Sequence, residues 1–106
     1  MDQSTFSAIR NGLLEFLVLQ IVSSGEVYAA DILARLAGTD FATREGTLYP
    51  LLSRMGREGL LEYAWRESAT GPPRKYYRLT KQGGDLLSHF RTYWASITTL
   101  IDQLGR

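Results

Sequence analysis

Residues 43–61 read TREGTLYPLLSRMGREGLL. At about 3.6 residues per turn, Leu48, Leu51, Leu52 and Met55 fall on one side of a helix. Gly46, Thr47, Pro50, Ser53, Arg54 and Arg57 occupy much of the other. The first set can anchor in a core; the second offers hydroxyl and guanidinium groups to something anionic. Thr43 is the predicted N-cap. Pro50 lies well inside the pattern, removing one backbone donor and crowding the carbonyl of Gly46, so a local kink is expected rather than a break. Gly59 followed by Leu60 predicts a Schellman-type stop.

Downstream, Leu61, Tyr63 and Trp65 alternate with Glu62, Ala64 and Arg66, the period-two pattern of a half-buried strand. Ser68–Pro73 reads as turn, and Lys75–Leu79 as a second strand with Pro73 at its start. A hairpin directly after a polar-faced helix forms a wing. Arg74, Lys75 and Tyr76 are placed at its tip, where they can reach along a nucleic-acid backbone. The same hairpin also closes the core through Trp65, Tyr77 and Leu79.

Upstream, Ser4 or Thr5 can cap a first helix running to about Ser23. Phe6, Ile9, Leu13, Phe16, Leu17 and Val22 recur at helical spacing, and Leu14, Val18, Leu19 and Ile21 fill much of the remaining circumference. A helix apolar nearly all round needs cover on more than one side, and in so short a chain a second subunit can supply it. Glu26–Leu36 is a predicted second helix, separated from the third by the Gly-containing break Ala37–Asp40. Two short helices joined in this way describe a helix-turn-helix, a pattern that ordinary helical hairpins share.

After Thr80, the predicted cap of a last helix, Leu87, Phe90, Trp94, Ile97, Ile101 and Leu104 follow the 3-4-3-4-3 spacing of a coiled-coil seam. Leu86, Tyr93 and Leu100 widen the stripe. Each such side chain buried is worth ~1.5–3 kcal/mol, a strong drive toward a homodimer. The first helix of the partner, through residues such as Phe6 and Leu13, is the surface expected to share the stripe. The expected architecture is mainly α (α+β): a winged helix-turn-helix over residues 1–80 and a C-terminal dimerisation helix over 81–106.

The 106 residues carry a net charge of only +1, but it is unevenly spread. Residues 1–42 hold two basic against five acidic side chains; residues 43–78 hold seven against four. Positive charge thus gathers where the two-faced helix and hairpin lie, as on a phosphate-contacting surface. A solvated charged face would look the same by composition. The absence of cysteine excludes disulfides and zinc-thiolate sites and fits a cytoplasmic protein. The apolar run Leu13–Val22 is interrupted by Glu15 and Gln20 and is too short to span a bilayer, and no basic segment of a signal peptide precedes it.

These blocks resemble the PadR family of bacterial transcription regulators, which are winged helix-turn-helix dimers. The resemblance rests on Gly46-Thr47-Leu48-Tyr49-Pro50-Leu51-Leu52, on Arg57-Glu58-Gly59-Leu60, on Gly71 through Thr80 (GPPRKYYRLT) and on Gly83. It covers the chain from about Arg10 onward. The single C-terminal helix is similar to the smaller members. The family implies a repressor bound to an inverted-repeat DNA operator, with the third helix in the major groove and the wing along the backbone or adjoining minor groove. Carried over, Thr43, Arg44, Thr47 and Tyr49 are the implied contacts of the recognition helix, and Arg54 a phosphate contact; Arg74, Lys75 and Tyr76 serve the wing. The helical projection places Tyr49 on the flank of the apolar face, leaving two roles open, DNA contact or core residue with a wet hydroxyl. A Gly-Tyr-Glu-like run common in the family's second helix is replaced by Tyr28-Ala29-Ala30-Asp31.

Some small members take flat aromatic ligands in a pore at the dimer interface, stacked on a tryptophan of the last helix. Trp94 and Phe90 match that place. Thr98 stands where those members have an acidic residue, for which Glu15 is a candidate substitute. Plain interface packing is the simpler role for Trp94. No cofactor or metal is implied. The single histidine, His89, falls on the outer side of the seam beside Asp85, and no nucleophile elbow or phosphate-binding glycine loop occurs, so catalysis is not expected. The competing reading is a winged-helix adaptor that binds protein instead of DNA.

Overall fold

Leu19, Ile32, Leu48, Leu52 and Met55 are fully buried, and they come from three different helices. In the computed structural model, which describes residues 3–106, those helices are α1 (Ser7–Val22), α2 (Ala29–Leu36) and α3 (Glu45–Arg57). An antiparallel hairpin, β1 (Leu61–Ser68) and β2 (Gly71–Leu79), follows, and then α4 (Lys81–Leu104). This is a winged helix-turn-helix of mainly α class. Among the described residues, no helix is long and apolar enough to cross a membrane.

Several boundaries differ from the sequence expectation. Residues 3–6 form a 3-10 turn, so α1 starts at Ser7 after Phe6 rather than being capped by Ser4 or Thr5. The second helix starts at Ala29, not Glu26, because the backbone of Val27 pairs with Tyr77 at the free edge of β2 (N···O 3.1 and 2.7 Å). A residue held by a strand edge cannot also open a helix. The cap of α3 is Arg44, one residue beyond Thr43, with extended dihedrals and no side-chain capping bond. Glu45 in the first turn faces the positive end of the helix dipole. The helix is continuous through Pro50. Its end is as expected: Gly59 has φ +78°, Leu60 N–H donates to Met55 O at 3.0 Å and Gly59 N–H to Gly56 O at 3.1 Å.

The wing is longer than expected. Both strands continue into the predicted turn and close over Ala69 and Thr70 alone. Arg66 pairs with Arg74 but Ser68 with Gly71, so Pro72 and Pro73 together oppose Glu67. The two prolines have no N–H to give the ladder, and the bulge forms where donors are missing. The bulge shifts register by one residue. Lys75, rather than Arg74, therefore stands across from Trp65.

The base of α4 belongs to the same core, which crosses the 80/81 junction. Leu87, expected at a dimer seam, is 4% exposed within its own protomer. It lies close after the Thr80 cap, and the helix has not yet left the body of the domain. Farther along, the stripe is open: Trp94 is 43%, Ile101 65% and Leu104 77% exposed. Phe6 and Ile9 of the N-terminal segment are exposed as well. The molecule is accordingly elongated, 57 × 33 × 21 Å.

Candidate nucleic-acid interface

The helix-turn-helix and the wing form one surface. On α3, Arg44, Thr47 and Tyr49 are exposed and Thr43 is half-buried just before the helix. Because Arg44 supplies no capping side chain, the first N–H groups of α3 are left without a side-chain acceptor, an arrangement suited to a phosphate oxygen. Thr43 and Thr47 share a polar hollow of about 400 Å³ with Arg10 and Asp40, whose side chains pair at 3.6 Å. Tyr49, 47% exposed, is not a core residue. It lines a second hollow of about 520 Å³ with Tyr28, Trp65, Arg74 and Lys75, between α2, α3 and the wing. Tyr77 forms part of its floor, and burial pushes its phenol up, with smaller contributions from Tyr49 and Tyr63, keeping it neutral.

The three wing residues do not sit at the hairpin tip and do not share a strand face. Arg74, Lys75 and Tyr76 lie in mid-strand, and successive side chains alternate. Lys75 Nζ stands 4.4 Å from the Tyr63 ring centroid and 5.4 Å from that of Trp65. On the opposite face, the Arg74 guanidinium lies 4.6 Å from the Tyr28 ring, and Tyr76 packs on Tyr28 at 5.4 Å. These rings hold the cations by cation–π attraction without neutralising them. Tyr28, Tyr63 and Trp65, which hold these cations, are not among the residues expected at the interface. The signal for Tyr63 and Trp65 was the alternation of β1, but their pairing with Lys75 depends on the proline bulge. The role of Tyr28 depends on the Val27 bridge.

Charge pairing sorts the basic residues of 43–78. Arg66 pairs with Glu26, Arg78 Nε with Glu62 at 2.8 Å, and Arg54 with two carboxylates. Among the described residues, no ion pair engages Arg44, Arg57, Arg74 or Lys75. All four come from α3 or the wing, and Arg57 shares a hollow of about 510 Å³ with Ser53, Tyr63 and Lys75. Arg54, expected as a phosphate contact, is engaged by two carboxylates. Its guanidinium hydrogen-bonds Glu58 and faces Glu15 on α1; Glu58 first, then Glu15, hold its pKa above the ordinary arginine value.

A model of the transcriptional regulator PadR-like family matches residues 18–89, spanning α2, α3 and the whole wing. The chain belongs to the PadR-like family. A PadR-like transcription factor from Bacteroides fragilis is 37% identical, with a TM-score of 0.82 over 95% of this chain and 98% of that one. A PadR-like transcriptional regulator from Bacillus cereus is also 37% identical, with a TM-score of 0.81 over 94% and 98%. A PadR family regulator from Eggerthella lenta is 31% identical, with a TM-score of 0.83 over 95% and 88%. Membership of PadR implies DNA-binding regulation of transcription, in a family that is not enzymatic.

A last apolar hollow, about 410 Å³, lies between α1 and α4. Its walls include Leu13, Phe16, His89, Phe90 and Trp94. Phe16 and Phe90 stack with centroids 4.0 Å apart and planes 6° apart, and Trp94 follows at 6.0 Å from Phe90. Glu15 and Thr98 do not line this hollow. Glu15 turns toward Arg54, and Thr98 Oγ1 donates to the Trp94 carbonyl of its own helix at 3.2 Å. Asp85 pairs with Lys81 Nζ at 3.1 Å and not with His89.

Proposed function

We propose that this PadR-like chain is a cytoplasmic bacterial repressor that grips an inverted-repeat operator as a homodimer. The observation that carries the reading is that four of the seven basic residues of 43–78, Arg44 at the cap of α3, Arg57 at its end and Arg74 and Lys75 on the wing, have no ion pair among the described residues. In this arrangement α3 enters the major groove with Thr43, Arg44, Thr47 and Tyr49, and the wing follows the adjacent backbone with Arg74, Lys75 and Tyr76. Two-fold pairing sets the two reading helices on successive half-sites. The stripe of exposed Trp94, Ile101 and Leu104 and half-buried Ile97, with Phe6 and Leu13 of the other subunit, supplies that pairing. Phe90 stays on its own Phe16 and borders the seam. The hollow beside Phe90 and Trp94 has the apolar walls and stacked rings to take a flat aromatic effector. With Glu15 committed to Arg54, that effector is an uncharged one.

The test is a polarisation titration with promoter DNA from upstream of its own gene. Affinity for the operator should exceed that for a random duplex by about 10³ or more, and adding a planar uncharged aromatic compound should release the operator. Equal affinity for the two duplexes at moderate salt removes the repressor reading in favour of a protein-binding adaptor. Lys75→Ala in the same assay should weaken binding about equally across sequences and flatten the salt slope by about 1. A changed sequence preference would mean that the wing reads bases.

A further inference from the structure

We infer that Arg54 is a positioning residue, not a DNA contact: it is a strut between α3 and α1 that sets the angle of the reading helix against the dimer-forming helix. This rests on the DNA-reading function proposed above. Arg54 Nη1 donates to both carboxylate oxygens of Glu58 at 3.0 and 3.1 Å, and Nη2 lies 3.4 Å from Glu15 Oε2. One guanidinium between two carboxylates leaves the group with an excess negative charge. A phosphate would have to displace a carboxylate to bind there, while unpaired cations stand elsewhere on the same helix.

The position of Glu15 gives the strut its use. Its side chain is 22% exposed and that of Arg54 43%, so the pair is screened less than a fully solvated one. Glu15 immediately precedes Phe16, whose ring lies flat on Phe90 of α4. Adjacent residues of a helix point about 100° apart, so α1 holds α3 with one side chain and α4 with the next. Any roll of α1 against α4 is transmitted to the reading helix. α3 otherwise packs chiefly on α2 and β1, and α2 in turn packs on α1, so the ion pair adds a direct tie to a link that packing makes only through α2. In a two-fold DNA reader, the tilt of α3 relative to the seam decides whether both half-sites are met in register.

The two roles of Arg54 predict opposite effects of Glu15→Gln. The operator duplex is one selected by the wild-type protein from a randomised pool. A strut predicts that Glu15→Gln and Arg54→Gln each weaken operator binding about threefold to tenfold, that the double variant is no weaker than either, and that Arg54→Lys recovers part of the loss. The salt slope and random-duplex affinity stay within twofold of wild type. A phosphate contact predicts that Arg54→Gln weakens both duplexes and flattens the slope by about 1, whereas Glu15→Gln frees the arginine and tightens both. That outcome overturns the inference. Amide exchange of α3 in the DNA-free protein judges the strut separately: both single variants should speed it equally. Unchanged exchange overturns the strut whatever the DNA does. A pool that yields no enriched sequence, with faster exchange, overturns the DNA-reading function and leaves the strut standing.

Discussion

Replacing Ile97 and Ile101 together with Glu is expected to yield a monomer by sedimentation and to cost operator affinity by a factor of about 10³. Ile97 is half-buried and Ile101 is 65% exposed, one turn apart on the part of α4 that leaves the domain. Neither belongs to the protomer's buried core, so the substitutions leave folding of the winged domain intact. In a dimer they would bury two carboxylates per subunit in an apolar seam, and each would also forfeit ~1.5–3 kcal/mol of side-chain burial. Loss of the second half-site then removes half of the operator contacts, bringing affinity down toward the non-specific level. Substituting Leu87 would not make this test, because its loss opens a cavity in the protomer itself. Dimers that survive the double substitution would show that α4 is not the main interface.

Gly83→Ala is expected to destabilise the protein by about 3 kcal/mol, lowering the melting temperature by more than 10 °C. A Cβ at Gly83 would stand 2.1 Å from the carbonyl oxygen of Leu60 and 3.0 Å from its carbon, and both belong to backbone. The approach is this close because the corner after α3 is tied to the start of α4. Thr80 Oγ1 donates to Gly59 O at 2.6 Å and accepts from Gly83 N–H at 3.0 Å, while Thr80 N–H donates to Leu60 O at 3.1 Å. Adding a methyl group forces α4 off that corner and breaks these bonds together. Gly84→Ala is the control. Its Cβ would meet nothing within 4 Å, and relieving a helix-interior glycine should stabilise by about 0.5–1 kcal/mol. Thermal melts at one protomer concentration compare the pair, since the stability of a dimer depends on concentration. Similar melting temperatures for the two variants would mean that the α3–α4 corner yields without cost.

The elements of the reading unit were legible because each leaves a periodic trace in neighbouring residues. The two faces of α3, the Gly59 stop, the Thr80 cap and the exposed stripe of α4 all follow from spacing within one element. Errors arose where a distant residue intervened. Glu26 and Val27 read as the first residues of a helix because the partner of Val27, the edge of β2 at Tyr77, lies far along the chain. Pro72-Pro73 looked like a turn because a pair of prolines opposite one glutamate is a bulge only when the other strand is present. Leu87 fits the heptad as well as Trp94 does, and only the docking of α4 on the Leu60 corner separates them.

The sequence by itself determined the winged helix-turn-helix, the family and the general site of positive charge, since amphipathic period and turn chemistry act over a few residues. Tertiary structure decided which of those charges are available. Arg54, Arg66 and Arg78 are taken by Glu15 and Glu58, Glu26 and Glu62, while Arg44, Arg57, Arg74 and Lys75, of the α3 and wing segment, have no ion pair among the described residues. Most of these pairings join residues far apart in the chain, and the strength of an ion pair depends on a separation of a few ångströms that only the folded chain sets.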